Sequence, residues 1–493
     1  MSVIVEPTAA RAHPNRTLGI LVLGAIAYAL AQTMIIPALP AIKHDLGASQ
    51  EGVTWLLTVF LLTSSVCTPL LGRFGDMYGK EKVLLVALSV FALGSLVCAL
   101  GNSIGVLILG RAIQGAAGAV FPLSFGIIRD EFPPERVATS IGLISATFGI
   151  GGGLGLVLAG VIVDHLSIEW IFWIALGVTA VAAWATWRFV PESPVRARAR
   201  IDWAGAALLS LTLASLLLGV SQGNAWGWDS TRVLGLFAVA AGLGSAFIAY
   251  ERRFPEPMVD MRLMSKRPVW STNLTAFAIG FAMFGSYVLI PQLVELPAVT
   301  GYGFAKTTTV AGLLMLPSAL VMLGAGPLSG WLGSRFGSRL PLALGSAFAA
   351  LAYVELTLFH DTLAEIAVGG VLVGIGIGLA FAAMANLVVV AVRPDQTGLA
   401  TGINTIMRSI GGSVGAQISA AILAGNQILG GRYPAESGFT DAFAMSAVAA
   451  LVALAATKVI PRPPRPGEAP AADAQYEHAH RRTGVPKPLG SEA

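Results

Sequence analysis

Along almost the whole chain, stretches without charge alternate with short charged turns. A helix needs about 20 predominantly apolar residues to cross a bilayer. The pattern predicts fourteen such helices, near 18–40, 54–72, 82–101, 105–128, 138–163, 170–190, 204–221, 233–250, 269–293, 309–333, 340–359, 364–391, 398–424 and 441–460. We number them spans 1 to 14. The run from Thr17 to Ile42 follows a polar N-terminal stretch and is too long for the apolar region of a cleaved signal, so it predicts an uncleaved first span.

Composition agrees with a polytopic membrane protein: 55% of the 493 residues are hydrophobic, 12% are charged, and mean hydropathy is +0.74. Cys67 and Cys98, the two cysteines, both fall in apolar runs, which leaves no disulfide framework and no cysteine metal cluster. An even number of spans puts both termini on one side. With that side as the cytoplasm, four of the 31 Lys and Arg fall outside (Lys43, Arg232, Lys306, Arg432) and two within spans (Arg111, Arg408), the rest being cytoplasmic as the positive-inside rule requires. Topology therefore accounts for the net charge of +4, and no nucleic-acid partner is expected. The segment from Pro461 to Ala493 is rich in proline, alanine and charge and reads as a disordered cytoplasmic tail, in which His478 and His480 alone make too few ligands for a metal.

The glycine-rich stretch GIGGGLGLVLAG, 149–160, invites a nucleotide reading. Gly149 and Gly151 supply two glycines of a dinucleotide fingerprint, but Leu154 stands at its last glycine, and no lysine lies between Lys82 and Lys266 for a phosphate loop. The stretch sits inside an uncharged run from Val137 to Val163, so its glycines belong to a span. An ATP-driven pump is excluded. A membrane enzyme would need a catalytic cluster, and HExxH does not occur.

Two internal echoes organise the spans. PLLGRFGDMYG (69–79) recurs as PLSGWLGSRFG (327–337), offset by 258 residues, and PERVATSIG…GGGLG (134–155) aligns with PDQTGLATG…GGSVG (394–415), offset by 260. Both advance by eight spans, which predicts two six-span repeats with two added helices between them. The expected divisions are a cytoplasmic segment 1–17, an N-terminal six-helix bundle 18–190, a linker 191–268 carrying spans 7 and 8, a C-terminal six-helix bundle 269–460 and the tail 461–493.

GRFGDMYGKEKVL, 72–84, resembles the loop motif between the second and third spans of the major facilitator superfamily, with Gly72, Asp76, Gly79 and Lys80 at its key positions and Met77 and Glu81 departing from it. LILGRAIQGAAGA, 107–119, is similar to the family's fourth-span motif, with Arg111, Gln114, Gly115 and Gly118 in register. Gly151, Gly155 and Gly160 look like its fifth-span antiporter motif, with Leu156 in place of the proline. The two added helices point to the fourteen-span drug:proton antiporter branch. That resemblance implies an all-α fold of two six-helix bundles plus two helices and a bacterial plasma-membrane location. It further implies alternating-access export of drug-like or secondary-metabolite molecules, coupled to protons, by a monomer without a cofactor. One departure bears on coupling: where the branch places an aspartate in span 1, LAQTMIIPALPAI (30–42) has Ala31.

The candidate residues follow from charge at bilayer depth, where an ionised side chain is costly and tends to mark a cavity or a partner. Arg111, one turn from Gln114, is either a cavity-wall residue or an arginine snorkelling to the interface; Arg408, near Asn404 and Gln417, lines the cavity or pairs with a backbone carbonyl. Under the repeat its counterpart is Phe148. Asp76, as a cytoplasmic carboxylate, is either a solvated loop residue or the anion at a helix N-terminus; the resemblance implies the start of span 13 as that helix and a cytoplasmic lock helped by Arg129 or Arg136, while Arg335 belongs to the second copy of the motif, where Ser334 replaces the aspartate. Gly151 and Gly155, one turn apart, allow a close helix approach, either as ordinary packing or as a sliding contact between bundles. The substrate cavity is expected to be lined by Gln32, Thr33, Gln114, Asn273, Gln292, Asn386 and Asn404 with Phe121, Phe281, Phe284, Tyr287 and Phe381, although lipid contact or helix packing accounts more readily for any one of these aromatics. Spans 1 to 10 contain no central carboxylate; Glu355, Asp164 and Glu295 are the proton-binding candidates, all near outer span ends. A facilitator or importer of a sugar or other metabolite in the same fold is the rival that Ala31 keeps open.

Overall fold

The computed structural model describes residues 14–193, 202–254, 257–429 and 431–461, without the side chains of Gln50, Glu51, Ile150 and 284–287. Among them fourteen helices are long and apolar enough to cross a membrane: Pro14–Asp45, Gly52–Tyr78, Lys80–Ala99, Ile104–Glu131, Pro134–His165, Glu169–Phe189, Trp203–Trp226, Thr231–Glu251, Arg267–Glu295, Thr308–Phe336, Arg339–Leu358, Leu363–Ala391, Pro394–Gly425 and Glu436–Thr457. They keep the numbers 1 to 14. The expected tail 461–493 lies outside the described residues from 462 onward, as do residues 1–13 and 194–201.

The helices run past the uncharged stretches, because a helix that emerges from lipid can continue with polar residues. Span 2 extends to Tyr78, so Gly72 and Asp76 are helical residues and the motif read as a loop shrinks to a turn at Gly79. Gly79 has φ +112°, a conformation that favours glycine, and a Cβ there would also stand 2.7 Å from a carboxylate oxygen of Glu81. Span 4 is two helices, Ile104–Gly115 and Val120–Glu131, where one was expected. Pro122 has no N–H to return to the carbonyl of Gly118, and the intervening turn tightens into bonds from Ala117 to Gln114 and from Gly118 to Gly115. A two-residue ladder, Gln427–Ile428 with Tyr433–Pro434, links spans 13 and 14, and it is the one sheet among the described residues.

Packing follows the internal repeat. In the first six spans the neighbours are 1 with 5 and 6, 3 with 4 and 6, and 2 with 4; in the last six they are 9 with 13 and 14, 11 with 12 and 14, and 10 with 12. Adding eight to each span number converts one set into the other. Between the bundles, 5 meets 10 and 12, and 13 meets 2 and 4, the same relation inverted. Span 7 lies along spans 2 and 13, burying Leu213 and Leu217 against Ile406 and Ile410, and span 8 packs on span 7.

Lipid is as apolar as leucine, so helix association in a membrane depends on close backbone approach. Span 5 meets span 10 through Gly142, Gly149, Gly153 and Gly160, where a Cβ would collide with Gly326, Met322, Ala319 and Thr309 respectively. The inter-bundle face is thus carried by this row; Gly151 and Gly155 of the expected antiporter face turn instead to Ala29 and Thr33 of span 1, inside one bundle. Gly142→Leu is expected to destabilise the solubilised protein by about 1–3 kcal/mol through overpacking, seen as a lower midpoint of thermal unfolding in detergent. Gly19→Leu, whose Cβ position has open space around it, should leave that midpoint unchanged.

Candidate functional site

A cavity of about 500 Å³ opens between the bundles at the end opposite Gly79, lined by Ile36, Lys43, Val53, Gln292, Glu295 and Thr308 among others. It shares Ile36, Leu156 and Val288 with a smaller void of about 40 Å³, which in turn shares Gln32 and Phe148 with a deeper one of about 20 Å³ beside Arg408. Sharing walls in succession, the three mark out a path, here called the shaft, from one face of the bundle to its centre. Its walls are apolar apart from Lys43, Gln292 and Glu295 at the mouth, Gln32, Thr33 and a few hydroxyls below, and Arg408 at the bottom, a lining that suits amphiphilic molecules.

The floor is aromatic. Phe121 stacks on Phe148 at 4.2 Å, and Phe148 meets Phe381 edge-on at 5.8 Å. The guanidinium of Arg408 lies 4.6 Å from the Phe148 ring centre and 4.2 Å from that of Phe381. The offset of 260 relates Phe148 to Arg408 and Phe121 to Phe381, so the four residues straddle the axis that exchanges the two bundles. Tyr28, bonded at 2.9 Å to Ser64, closes the same floor from span 1.

Arg111 sits inside the first bundle and is 1% exposed, which sets aside snorkelling. It donates to Gln114 Oε1 at 2.8 Å and to the carbonyls of Leu56 and Ala31 at 3.3 Å, and its face covers the Phe60 ring at 4.1 Å. Gln114 passes the chain on to Ser95. No carboxylate joins this network, and Nη2 of Arg111 has no hydrogen-bond partner among the described residues. The arginine therefore addresses the backbone of residue 31, the position at which the resemblance leads one to expect an aspartate.

Charge is paired at the Gly79 end. Asp76, fully buried, accepts from the amides of Gly398 and Leu399 at 3.1 Å, so its carboxylate caps span 13 from span 2. Arg129 secures the same turn, donating to Thr397 Oγ1 and to the Val392 carbonyl, both at 2.7 Å. Lys80, also fully buried, is 2.5 Å from Asp130 and 3.7 Å from Asp76, and Ser193 donates to Asp130 at 2.6 Å. Glycine makes room throughout: a Cβ on Gly72 would stand 2.6 Å from the Gly398 carbonyl oxygen, and one on Gly126 would meet the Lys80 stem.

Residues 21–416 match the sequence profile of the Major Facilitator Superfamily. The chain belongs to the major facilitator superfamily. Among proteins similar to it, Multidrug resistance protein 3 of Bacillus subtilis (strain 168) is 28% identical over 79% of this chain and 75% of its own length. Multidrug resistance protein Stp of Mycobacterium tuberculosis (strain CDC 1551 / Oshkosh) is 30% identical over 75% and 68%. The Tetracenomycin C resistance and export protein of Streptomyces glaucescens is 28% identical over 80% and 73%. In fold the chain is similar to the human organic anion transporter MFSD10 (TETRAN), with a TM-score of 0.63 at 17% identity, covering 90% of this chain and 99% of that one. With fourteen membrane-spanning helices and bacterial relatives of this kind, it is a multi-pass protein of a bacterial plasma membrane.

Against that family frame, the expected site residues separate into three places. Gln32, Thr33, Gln292 and Arg408 line the shaft, and Phe121 joins them at its floor. Arg111 and Gln114 form the interior network of the first bundle, while Asn404 and Asn273 bond to each other at 2.9 Å between spans 13 and 9. Asn386 is at the Gly79 end, donating to the Ala138 carbonyl at 3.1 Å, and so belongs to the seam and not to the cavity. Arg335 is exposed and covers the ring of Trp331 on its own helix, and Arg136 turns to Asn15. Phe284 and Tyr287 fall on side chains outside the description. Asp130 was missed, although an acidic residue beside Arg129 at the end of span 4 was there to be weighed. Asp76→Asn removes one of two acceptors from the amides of Gly398 and Leu399; hydrogen exchange of a peptide spanning them should speed up about tenfold, equivalent to about 1.4 kcal/mol.

Proposed function

We propose that this transporter exports amphiphilic organic molecules across the plasma membrane by alternating access of its two bundles, in exchange for protons. Both termini and the Asp76 end face the cytoplasm, an orientation supported by the positive-inside distribution of Lys and Arg. On that reading the structure is the outward-facing state. The observation that carries it is a cavity of about 500 Å³ between the bundles at one end and, at the other, a seam where Asp76, Arg129 and bare glycine backbone join them. Releasing those contacts while closing the shaft would expose the aromatic floor to the cytoplasm. Names of the relatives, multidrug resistance and Tetracenomycin C export, support drug-like or secondary-metabolite substrates.

Coupling requires a carboxylate that changes environment with the transition. The shaft floor has none. Asp164 accepts from Thr309 Oγ1 at 2.5 Å across the junction of spans 5 and 10, and Glu295 lines the shaft mouth, so both occupy ground that moves when the mouth closes. Glu355 faces Gly369 within the second bundle, away from any junction between bundles. Asp164 and Glu295 are therefore our choice for proton carriers. A facilitator without coupling is the second reading, favoured by Ala31 and the acid-free centre.

The test uses inside-out vesicles energised to an acidic interior and a pH dye. Amphiphilic drugs should release lumenal protons, and the combined Asp164→Asn and Glu295→Gln variant should abolish that release while leaving passive drug exchange. Arg111→Ala should slow it about tenfold or more, the scale of one lost charged hydrogen bond. Drug movement that leaves lumenal pH unchanged would establish the facilitator instead.

A further inference from the structure

Among the described residues the centre of the protein holds two buried guanidiniums and no carboxylate to balance them. Their situations differ. Arg111 is bonded to two carbonyls and an amide, so its charge is met by local dipoles. Arg408 is 93% buried by its relative exposure of 7%, yet it lines the floor of the shaft and its interactions are the faces of Phe148 and Phe381. Apart from Asp395 at its start, span 13 holds no Asp or Glu, and none lines the deep void that Arg408 shares with Tyr28, Gln32, Ser64 and Thr405. A guanidinium removed from bulk water and left without an anion is costly unless something supplies the counter-charge. Its five donors in a planar fork match a carboxylate or sulfonate bidentately, and Tyr28, Phe121 and Phe148 line the same void beside it to receive an aromatic body.

We propose that the shaft floor is a receptor for the anionic group of an aromatic organic acid, with Arg408 as its counter-charge and the wall of Tyr28, Phe121 and Phe148 as the seat of its ring. The inference rests on the exporter reading and names its substrate class. Transport then has a driving term of its own, because a membrane potential negative inside pushes an anion outward. Export of such a substrate does not depend on an acid beside Arg111, which accords with Ala31. Arg408 is also placed to respond to the transition, since Phe148 belongs to one bundle and Phe381 to the other; separation of the bundles would take one face away from it.

The test is binding of three isosteres, 2-naphthoate, 2-naphthylmethanol and 2-naphthylmethylammonium, to the full-length purified protein in lipid nanodiscs, with and without saturating chloride. The wild type should bind the carboxylate at least about tenfold more tightly than the ammonium. Arg408→Gln should erase that preference while leaving the alcohol unchanged, and Arg408→Lys should keep part of it. Equal or tighter binding of the ammonium overturns the proposal on the wild type alone, whether or not the variants fold. So does an alcohol that binds only when chloride is present with no advantage for the carboxylate, which would make chloride the resident anion. Uptake of the same compounds and of a drug panel into inside-out vesicles separates the two claims. Compounds that move without charge preference would sink the receptor and spare the exporter, whereas a folded protein that moves nothing would sink the exporter.

Discussion

The meeting of span 2 with the first turn of span 13 is the constraint on which the rest depends. Two glycines, Gly72 and Gly398, bring bare backbone into contact, and the carboxylate of Asp76 accepts from the amides that the start of a helix leaves unpaired. Neither part suffices alone. Without the glycines the carboxylate could not approach, and without the carboxylate two buried donors would lack acceptors, at a cost of about 1–3 kcal/mol each. With both, one end of the molecule is closed and the shaft has a floor. Span 7, packed along the outer side of spans 2 and 13, covers this seam from the lipid.

The inverted copy of the seam is built more weakly. Gly330 approaches the carbonyl of Ala138 as Gly72 approaches that of Gly398, but Ser334 stands where Asp76 would and donates to Trp331 in its own helix. Asn386 supplies a single bond to Ala138 instead. The same asymmetry recurs at the centre, where the axis relates Phe148 to Arg408 and so sets an aromatic face against a charge. Fold symmetry places these pairs; the departures from it give each side a different task. Charged groups obey a simple division: at the closed end Lys80 is held between Asp76 and Asp130, whereas at the centre arginines face dipoles and rings.

Fourteen spans and the pairing of their contacts by eight were legible in the sequence because membrane helices announce themselves through uncharged length, and repeats through spaced glycines. Arg111 and Arg408 were legible as charges in apolar runs. What they touch was not: the contact of Arg408 with Phe148 joins residues of two bundles, and only the folded axis brings them together. Asn386 and Asn404 show the limit most plainly, since a polar residue in a span can serve a seam, a neighbouring helix or a cavity, and the letter is the same. The row Gly142, Gly149, Gly153 and Gly160 was hidden by its own richness, because span 5 has glycines on two faces and the motif register selected the one that meets span 1.

Alternating access across these seams makes one claim above the others, that the two ends change in opposite senses. The most direct measurement is pairwise spin-label distance in lipid, one pair at Glu135 and Ser334 near the Asp76 end and a second at Asp45 and Val299 near the shaft mouth, all exposed positions. On adding a transported compound under a proton gradient, the account predicts a population in which the first distance lengthens while the second shortens. Two distances that lengthen together, or a second that stays fixed while transport proceeds, would contradict it.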